Sequence, residues 1–103
     1  MHAILVVDPA NVPADIASLG AGENAITQAL AQRDGKWYVR NSTDSLVAPF
    51  KPSFDGKRLP VLLVVDGKTN PRKVIGAATL EPTGDVATTA RRIITQIANA
   101  VGP

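Results

Sequence analysis

Two short apolar runs constrain the fold of this chain more than any other feature of its sequence. They are Ala3–Val7 and Val61–Val65, and each ends at an aspartate, Asp8 or Asp66, in a turn sequence. Runs of this length without alternating polar residues are typical of strands that are buried on both faces of a sheet. The chain is therefore predicted to be a layered α/β domain with a sheet at its centre.

A first helix is predicted between these runs. Asn11 can cap its start, with Pro13 in the opening turn, because a side-chain oxygen accepts from free backbone N–H groups and proline is tolerated there. Gly20–Gly22 weaken the helix, and it is expected to restart at Glu23. Gly35 is expected to end it by supplying a left-handed turn.

The remaining strands are predicted from β-prone residues between turn residues. Lys36–Arg40 reads as the second strand, and Lys73–Ala77 as a strand that returns antiparallel to Val61–Val65. Between them, Asn41–Leu59 is interrupted by prolines and is predicted to be irregular, although Asp44 could cap one helical turn.

A last helix is predicted after Glu81, with Thr83 or Asp85 as its cap and Gly102 at its end. Its apolar residues recur at helical spacing, so that they fall on one face. The residues expected on this face are Val86, Ala90, Ile93, Ile94, Ile97 and Val101.

The predicted order is strand, helix, strand, loop or short helix, strand, strand, helix. A chain of 103 residues is expected to form one domain, residues 1–103, because this length suffices for a single hydrophobic core. The predicted fold class is α/β, a small mixed four-stranded sheet with two helices.

The second half of the chain is similar to the thioredoxin-like family. The likeness is carried by Leu59-Pro60 before the apolar strand, by Asp66-Gly67-Lys68, and by the returning strand Val74–Ala77. It is sharpest over Leu59–Ala77, and it implies that Pro60 is a cis-proline facing the active site. The resemblance also places Asn11–Ala14 where the family's Cys-x-Pro-Cys motif opens the first helix, with only the proline retained.

The resemblance implies a redox-inactive member, since thiol exchange needs a thiolate. It further implies that the groove beside Pro60 and the start of the first helix holds an extended peptide or another subunit. An unrelated α/β sandwich, with both helices on one face of the sheet, fits the same element order.

Most familiar catalytic machinery is missing from the sequence. The chain has no cysteine and one histidine, His2, so thiol nucleophiles and cysteine-ligated metals are excluded, and a serine triad has only His2 to use. The glycines form neither a phosphate loop nor a dinucleotide fingerprint. Asp8 and Asp66 could form an acid–base or metal pair, but aspartate before proline or glycine is ordinary turn chemistry. We expect no catalytic residue, no metal and no cofactor, and therefore no enzyme.

The cellular location is predicted from the length of the apolar runs and from the residues before the first run. None reaches the length of about 18 residues that a membrane span needs. The N-terminal run has no basic segment before it and is too short for the core of a signal peptide. A cytoplasmic protein without membrane contact is expected.

Charge and aromatic residues concentrate in the middle of the chain. Nine of the 11 basic residues and four of the nine acidic residues lie between Arg33 and Lys73, a local net charge of +5, and all four aromatic residues fall in the same interval. Aromatic and basic side chains together are typical of protein interfaces, and they also bind nucleic acids. The predicted binding residues are Trp37, Arg40, Phe50, Lys51, Phe54, Lys57, Arg58 and Pro60.

The predicted function is a non-catalytic protein-binding or assembly module that uses an aromatic and basic surface around residues 37–60. Its partner would be another protein or copies of itself. Two alternatives stay open. One is a structural subunit of a homo-oligomer or a virion, and the other is a nucleic-acid-binding accessory protein.

Overall fold

Four strands form one mixed sheet in the computed structural model, which describes residues 1–20, 23–66, 73–81 and 83–101. The strands are β1 (His2–Val7), β2 (Lys36–Asn41), β3 (Val61–Asp66) and β4 (Lys73–Thr79). Their order is β2-β1-β3-β4, with β1 parallel to β2 and antiparallel to β3, and β3 antiparallel to β4. The prediction of an α/β fold with a mixed four-stranded sheet is confirmed, and the two apolar runs form its central strands.

The described residues contain four α-helices, where two helices and a further loop or short helix were predicted. These are α1 (Ala14–Leu19), α2 (Ala25–Ala31), α3 (Lys51–Phe54) and α4 (Val86–Val101), and a 3₁₀ turn, Ala48–Phe50, precedes α3. The prolines at 49 and 52 occupy first-turn positions, where the missing N–H costs nothing. They therefore open short helical turns in the segment for which a loop or a short helix was predicted.

Helices cover both faces of the sheet. Helices α1, α2 and α4 pack on the face that carries Leu5 and Leu62, and the segment with α3 packs on the face that carries Ile4 and Leu63. Successive strand residues point to opposite faces, so both central strands are buried on each side. This is the physical reason for their continuously apolar sequences.

The predicted first helix is two helices. Asn24 caps α2, because its Oδ1 accepts from the backbone N–H groups of Ile26 at 2.8 Å and Thr27 at 3.2 Å. The hydroxyl of Thr27 in turn accepts from the N–H of Asn24 at 2.8 Å, which completes a capping box. The expected restart at Glu23 was wrong by two residues, since the helix begins at Ala25 after this cap.

Two other predicted helix ends are corrected. Pro13 rather than Asn11 is the N-cap of α1, and the N–H of Asn11 donates to the carbonyl of Asp8 in a turn. After α2 the left-handed residue is Asp34, with φ of 53°, and not Gly35. The N–H of Gly35 instead donates to the carbonyl of Leu30 at 2.8 Å, which closes the end of the helix.

The start of α4 confirms one predicted cap and corrects one buried position. The carboxylate of Asp85 accepts from the backbone N–H of Thr88 at 3.1 Å, as an N-cap does. Val86 is 40% exposed, whereas Thr89 is fully buried in the first two turns. Ala90, Ile93 and Ile97 are buried as predicted, Ile94 and Val101 are partly buried, and Gly102 lies outside the described residues.

Within the described ranges, no helix combines the length and apolar character that crossing a membrane requires.

Candidate binding cleft

The strand register brings three chain segments to one edge of the sheet. Val7 lies opposite Asn41 at the ends of β1 and β2, and Val6 lies opposite Val61 at the start of β3. Residues that follow β1 and β2 and residues that precede β3 therefore meet there. Ligands of open α/β sheets bind beyond the carboxyl ends of strands, where neighbouring connections diverge.

A cleft of about 230 Å³ opens at this edge. The backbone N–H of Ser42 donates to the carbonyl of Val7 at 2.9 Å, and this bond ties one wall of the cleft to the central strand. The residues that line the cleft are Ser42, Thr43, Lys51, Phe54, Asp55, Gly56, Lys57 and Leu59.

The second wall is formed by α3 and the turn that follows it. The N–H of Asp55 donates to the carbonyl of Lys51 at 2.8 Å, and that of Lys57 donates to the carbonyl of Phe54 at 3.0 Å. Gly56 has φ of +77°, and a Cβ there would meet no atom within 4 Å. Glycine is favoured by this backbone conformation and not by lack of space.

The cleft combines positive charge with hydroxyl groups above an apolar floor. Lys51 and Lys57 are exposed, and the lining also includes the hydroxyls of Ser42 and Thr43 and one carboxylate, Asp55. Phe54 is buried and Leu59 is half-buried beneath them. Two ammonium groups and two hydroxyls can donate hydrogen bonds to an anionic group, while the floor can contact an apolar side chain.

The structure brings together three of the predicted binding residues at the cleft, Lys51, Phe54 and Lys57. Pro60 is buried at the same edge, and the Leu59–Pro60 peptide bond is cis.

The two phenylalanines do not lie on the surface as the sequence interpretation assumed. Phe50 is 7% exposed and Phe54 4% exposed, in the cluster that covers Ile4, Val6 and Leu63. They are needed there because, among the described residues, segment 47–59 is the main cover of this face of the sheet. Both rings are therefore core side chains and not exposed anchors, and of the two Phe54 lines the cleft.

Trp37 lies on the opposite face of the sheet from the cleft segment. Its side chain packs partly buried against the cluster under α1, α2 and α4, and its Nε1 donates to the carbonyl of Leu19 at 2.8 Å. This bond joins β2 to the end of α1. Trp37 is therefore fixed within the fold and does not contribute to the cleft.

The two predicted arginines lie outside the cleft lining. The guanidinium of Arg40 lies 5.0 Å from the centre of the Tyr38 ring, and its Nη1 donates to the carbonyl of Val39 at 2.9 Å. Arg58 is exposed and its Nη1 lies 3.6 Å from Oε1 of Glu81, a surface ion pair of small energetic value.

The basic middle of the sequence divides between the two ends of the sheet. Lys36 lies opposite His2 at the start of β1, and Lys73 lies opposite Asp66 at the end of β3. Both are therefore at the far end from Lys51 and Lys57. Of the residues in the predicted basic patch, two lysines line the cleft, Lys51 and Lys57. The chain crosses the sheet in β2 and again in β3 within this interval, so basic residues that are close in sequence lie at different ends of the sheet.

Asp8 and Asp66 also lie at opposite ends of the sheet. His2, at the start of β1, is paired with Val65, and Asp8 follows the far end of β1. The antiparallel direction of β3 thus excludes a joint acid–base or metal site for the two carboxylates. Over the ranges that the structure covers, no group of three histidine, cysteine or acidic side chains could hold a metal ion.

A buried carboxylate that the sequence analysis did not single out joins three segments. Asp15 is 3% exposed, and its Oδ2 accepts from the hydroxyl of Thr89 at 2.7 Å and from the N–H groups of Thr83 and Gly84 at 3.3 and 3.2 Å. Its Oδ1 accepts from the N–H of Ile16 at 3.0 Å. Partners 68 to 74 residues away leave no local sequence signal.

The hydrogen bonds decide the ionisation of this carboxylate. Burial raises the pKa of Asp15, but the bonds from Thr89, Gly84, Ile16 and Thr83 outweigh burial and bring the pKa below its ordinary value. Asp15 is thus an ionised group that connects α1 to the start of α4. All four donors belong to the fold itself, which makes this a structural site.

In comparisons with known proteins, the chain matches no protein-family model, no curated protein and no solved structure.

Proposed function

We propose that this chain is a non-catalytic protein-binding module whose cleft holds an extended, acidic segment of a partner protein. The observation that carries the proposal is the position of Lys51 and Lys57 beside the hydroxyls of Ser42 and Thr43 around one cleft. Carboxylates of the partner would pair with the two ammonium groups and accept from the hydroxyls. An apolar side chain of the partner would contact Leu59.

The proposal includes a thioredoxin-like fold. Support comes from the strand order β2-β1-β3-β4, with an antiparallel β3–β4 pair and helices on both faces. The short helix α3 on the second face favours this arrangement over a sandwich whose helices lie on one face only. The cis Leu59–Pro60 bond agrees with what the resemblance implies.

Binding rather than redox catalysis is proposed because the chain contains no cysteine. Thiol–disulfide exchange has no attacking thiolate without one. The cleft at the edge occupied by Pro60 would then serve only for contact with a peptide. The proposal keeps the cytoplasmic location that the sequence analysis expected.

The test is fluorescence anisotropy with labelled peptides of equal length that are rich in glutamate, in lysine or in serine. We expect the glutamate-rich peptide to bind about tenfold more tightly than the serine-rich peptide, and the lysine-rich peptide not to bind. Equal affinity for all three would contradict the proposal. Mass spectrometry of the recovered peptide should show no change in mass, and a modified product would contradict a purely binding role.

A single-stranded DNA oligonucleotide in the same assay tests the nucleic-acid alternative. Binding to phosphates releases counterions and weakens steeply with salt. DNA bound more tightly than the acidic peptide, with such a salt dependence, would replace the proposed partner by a nucleic acid.

A further inference from the structure

Strand β4 forms one edge of the sheet that the described residues build, where it pairs with β3 on one side. No charged residue occurs between Lys73 and Glu81 in the sequence. Ile75 is 39% exposed, and Ala77, Ala78 and Thr79 are exposed as well. An edge strand with unpaired backbone groups and an apolar sequence is a template for pairing with another strand.

The register identifies which backbone groups of β4 are available. The N–H of Leu80 donates to the carbonyl of Pro60 at 2.9 Å, so this pair is a hydrogen-bonded pair of the antiparallel ladder. Hydrogen-bonded pairs alternate with non-hydrogen-bonded pairs along the two strands. Ala78 and Leu62, which lie opposite each other, therefore form the next hydrogen-bonded pair. Ala77 and Thr79 therefore direct their N–H and C=O groups away from β3.

The bulge in this pair limits the regular part of the edge. The register shifts between Val64 and Val65, where Val65 lies opposite Val74 and Val64 lies opposite Gly76. A bulge bends its strand locally, so regular backbone pairing by β4 is expected from Gly76 to Thr79, with the long side chains of Lys73 and Glu81 flanking the two ends of this stretch. The side chains in this stretch are small, which permits close approach of a second strand.

Charge favours a second copy of this chain as the occupant. Lys73 stands at the start of β4 and Glu81 follows its end. The Oε1 of Glu81 also lies 3.6 Å from the exposed Arg58, a surface ion pair of small energetic value. Two identical strands that pair antiparallel bring the positive end of each copy toward the negative end of the other. A parallel arrangement would bring like charges together instead, at a cost in stability.

We propose that two copies of the chain associate by antiparallel pairing of their β4 strands, with a two-fold axis near Ala77 and Ala78, into one continuous sheet. This is an isologous contact, because both copies contribute the same residues. It does not depend on the proposed function, since no β4 residue lines the cleft.

Disulfide trapping tests the pairing directly, because the natural chain contains no cysteine. Ala77→Cys or Ala78→Cys places one thiol per copy near the axis, where facing Cα atoms lie about 4.5 to 5.5 Å apart, within reach of a disulfide. Lys36→Cys, on the exposed edge strand β2, is the matched control. We expect oxidation to give a covalent dimer at position 77 or 78 and not at position 36.

Light scattering on the natural chain and two variants completes the test. The natural chain should have the mass of a dimer. Ala77→Pro removes an outward N–H without touching the ladder to β3, and Ala77→Lys adds charge at the axis, so each should raise the dimer dissociation constant about tenfold or more. Circular dichroism should show the same folded signal for both variants.

Charge removal tests the choice of occupant. Lys73→Gln and Glu81→Gln place no like charge opposite Asp66 or beside Arg58, and each should weaken the dimer about fivefold. A monomeric natural chain at high concentration would overturn the proposal. So would aggregates without a defined mass, or disulfide formation at position 36 equal to that at positions 77 and 78.

Discussion

The carboxylate of Asp15 in α1 accepts a hydrogen bond of 2.7 Å from the hydroxyl of Thr89 in α4, although 74 residues separate them. The same oxygen accepts from the N–H groups of Thr83 and Gly84. This single side chain therefore satisfies donors of the turn before α4 and fixes that turn to α1. Loss of the carboxylate would take this acceptor from the buried hydroxyl of Thr89 and from the half-buried N–H of Thr83.

Substitutions at this site are expected to destabilise the fold. Asp15→Ala removes the acceptor of charge-assisted hydrogen bonds and should lower the free energy of unfolding by about 2 kcal/mol. Thr89→Val removes one donor and should cost about 1 kcal/mol. Urea denaturation measures both. Thr95→Val, on the exposed face of α4, is the control, and an equal loss there would contradict the assigned role of Thr89.

The Asp15 contribution is expected to depend on pH. Because its pKa is lower in the folded chain than the ordinary value, about 3.9 in unfolded chains, folding favours the ionised form. The stabilisation of the fold by the Asp15 carboxylate is complete above the pKa of the unfolded chain. It is lost as the pH falls through the lower pKa of the folded chain. The difference in unfolding free energy between the natural chain and Asp15→Asn should be constant from pH 7 to about pH 5 and shrink below about pH 4. A difference that grows on acidification would contradict the direction of the shift.

Gly76 of β4 lies directly against Ala100 of α4. A Cβ at this position would lie 2.8 Å from the Cβ of Ala100, which is closer than two methyl groups can pack. Gly76→Ala should therefore lower the free energy of unfolding by about 1 to 3 kcal/mol. Adding Ala100→Gly should recover part of this loss, as thermal unfolding of the single and double variants can measure. Additive losses would show that the two residues do not share the contact.

Phe54 is expected to behave as a core residue. Phe54→Ala should destabilise the chain by about 3 to 5 kcal/mol, because it removes a buried ring from beneath the cleft. Lys57→Ala, three residues away and exposed, should change stability by less than about 0.5 kcal/mol. Denaturation of both variants tests this, and a fully stable Phe54→Ala would place the ring outside the core.

The sheet could be predicted from the sequence because its signals are local. Each apolar run lies within one strand, β1 or β3, and the turn residues that end it follow directly in the sequence. The caps of α1 and α2 were harder, since Asn11 and Asn24 are both suitable residues and only Asn24 is followed by a threonine that completes a capping box. The left-handed backbone conformation occurs at Asp34 and not at Gly35. Glycine favours this conformation, so the geometry of the helix end and not residue preference decides its position.

The site was predicted less completely because it depends on chain direction and packing. The interval that holds the basic residues crosses the sheet, so Lys36 and Lys51 fall at opposite ends although they are close in sequence. Aromatic residues serve equally well as interface anchors and as core, and the burial of Phe50 and Phe54 is decided by their packing in the cluster with Ile4, Val6 and Leu63. The partners of Asp15 are distant in sequence, which no local pattern can reveal.

Charge reversal at the cleft tests the central claim most directly. The double variant Lys51→Glu with Lys57→Glu is compared with Lys36→Glu, which makes the same kind of change at the far end of the sheet. Anisotropy titrations with the glutamate-rich peptide should show affinity reduced about tenfold or more by the cleft variant and unchanged by the control. Equal affinity of the cleft variant and the natural chain would contradict the assignment of the cleft as the binding site.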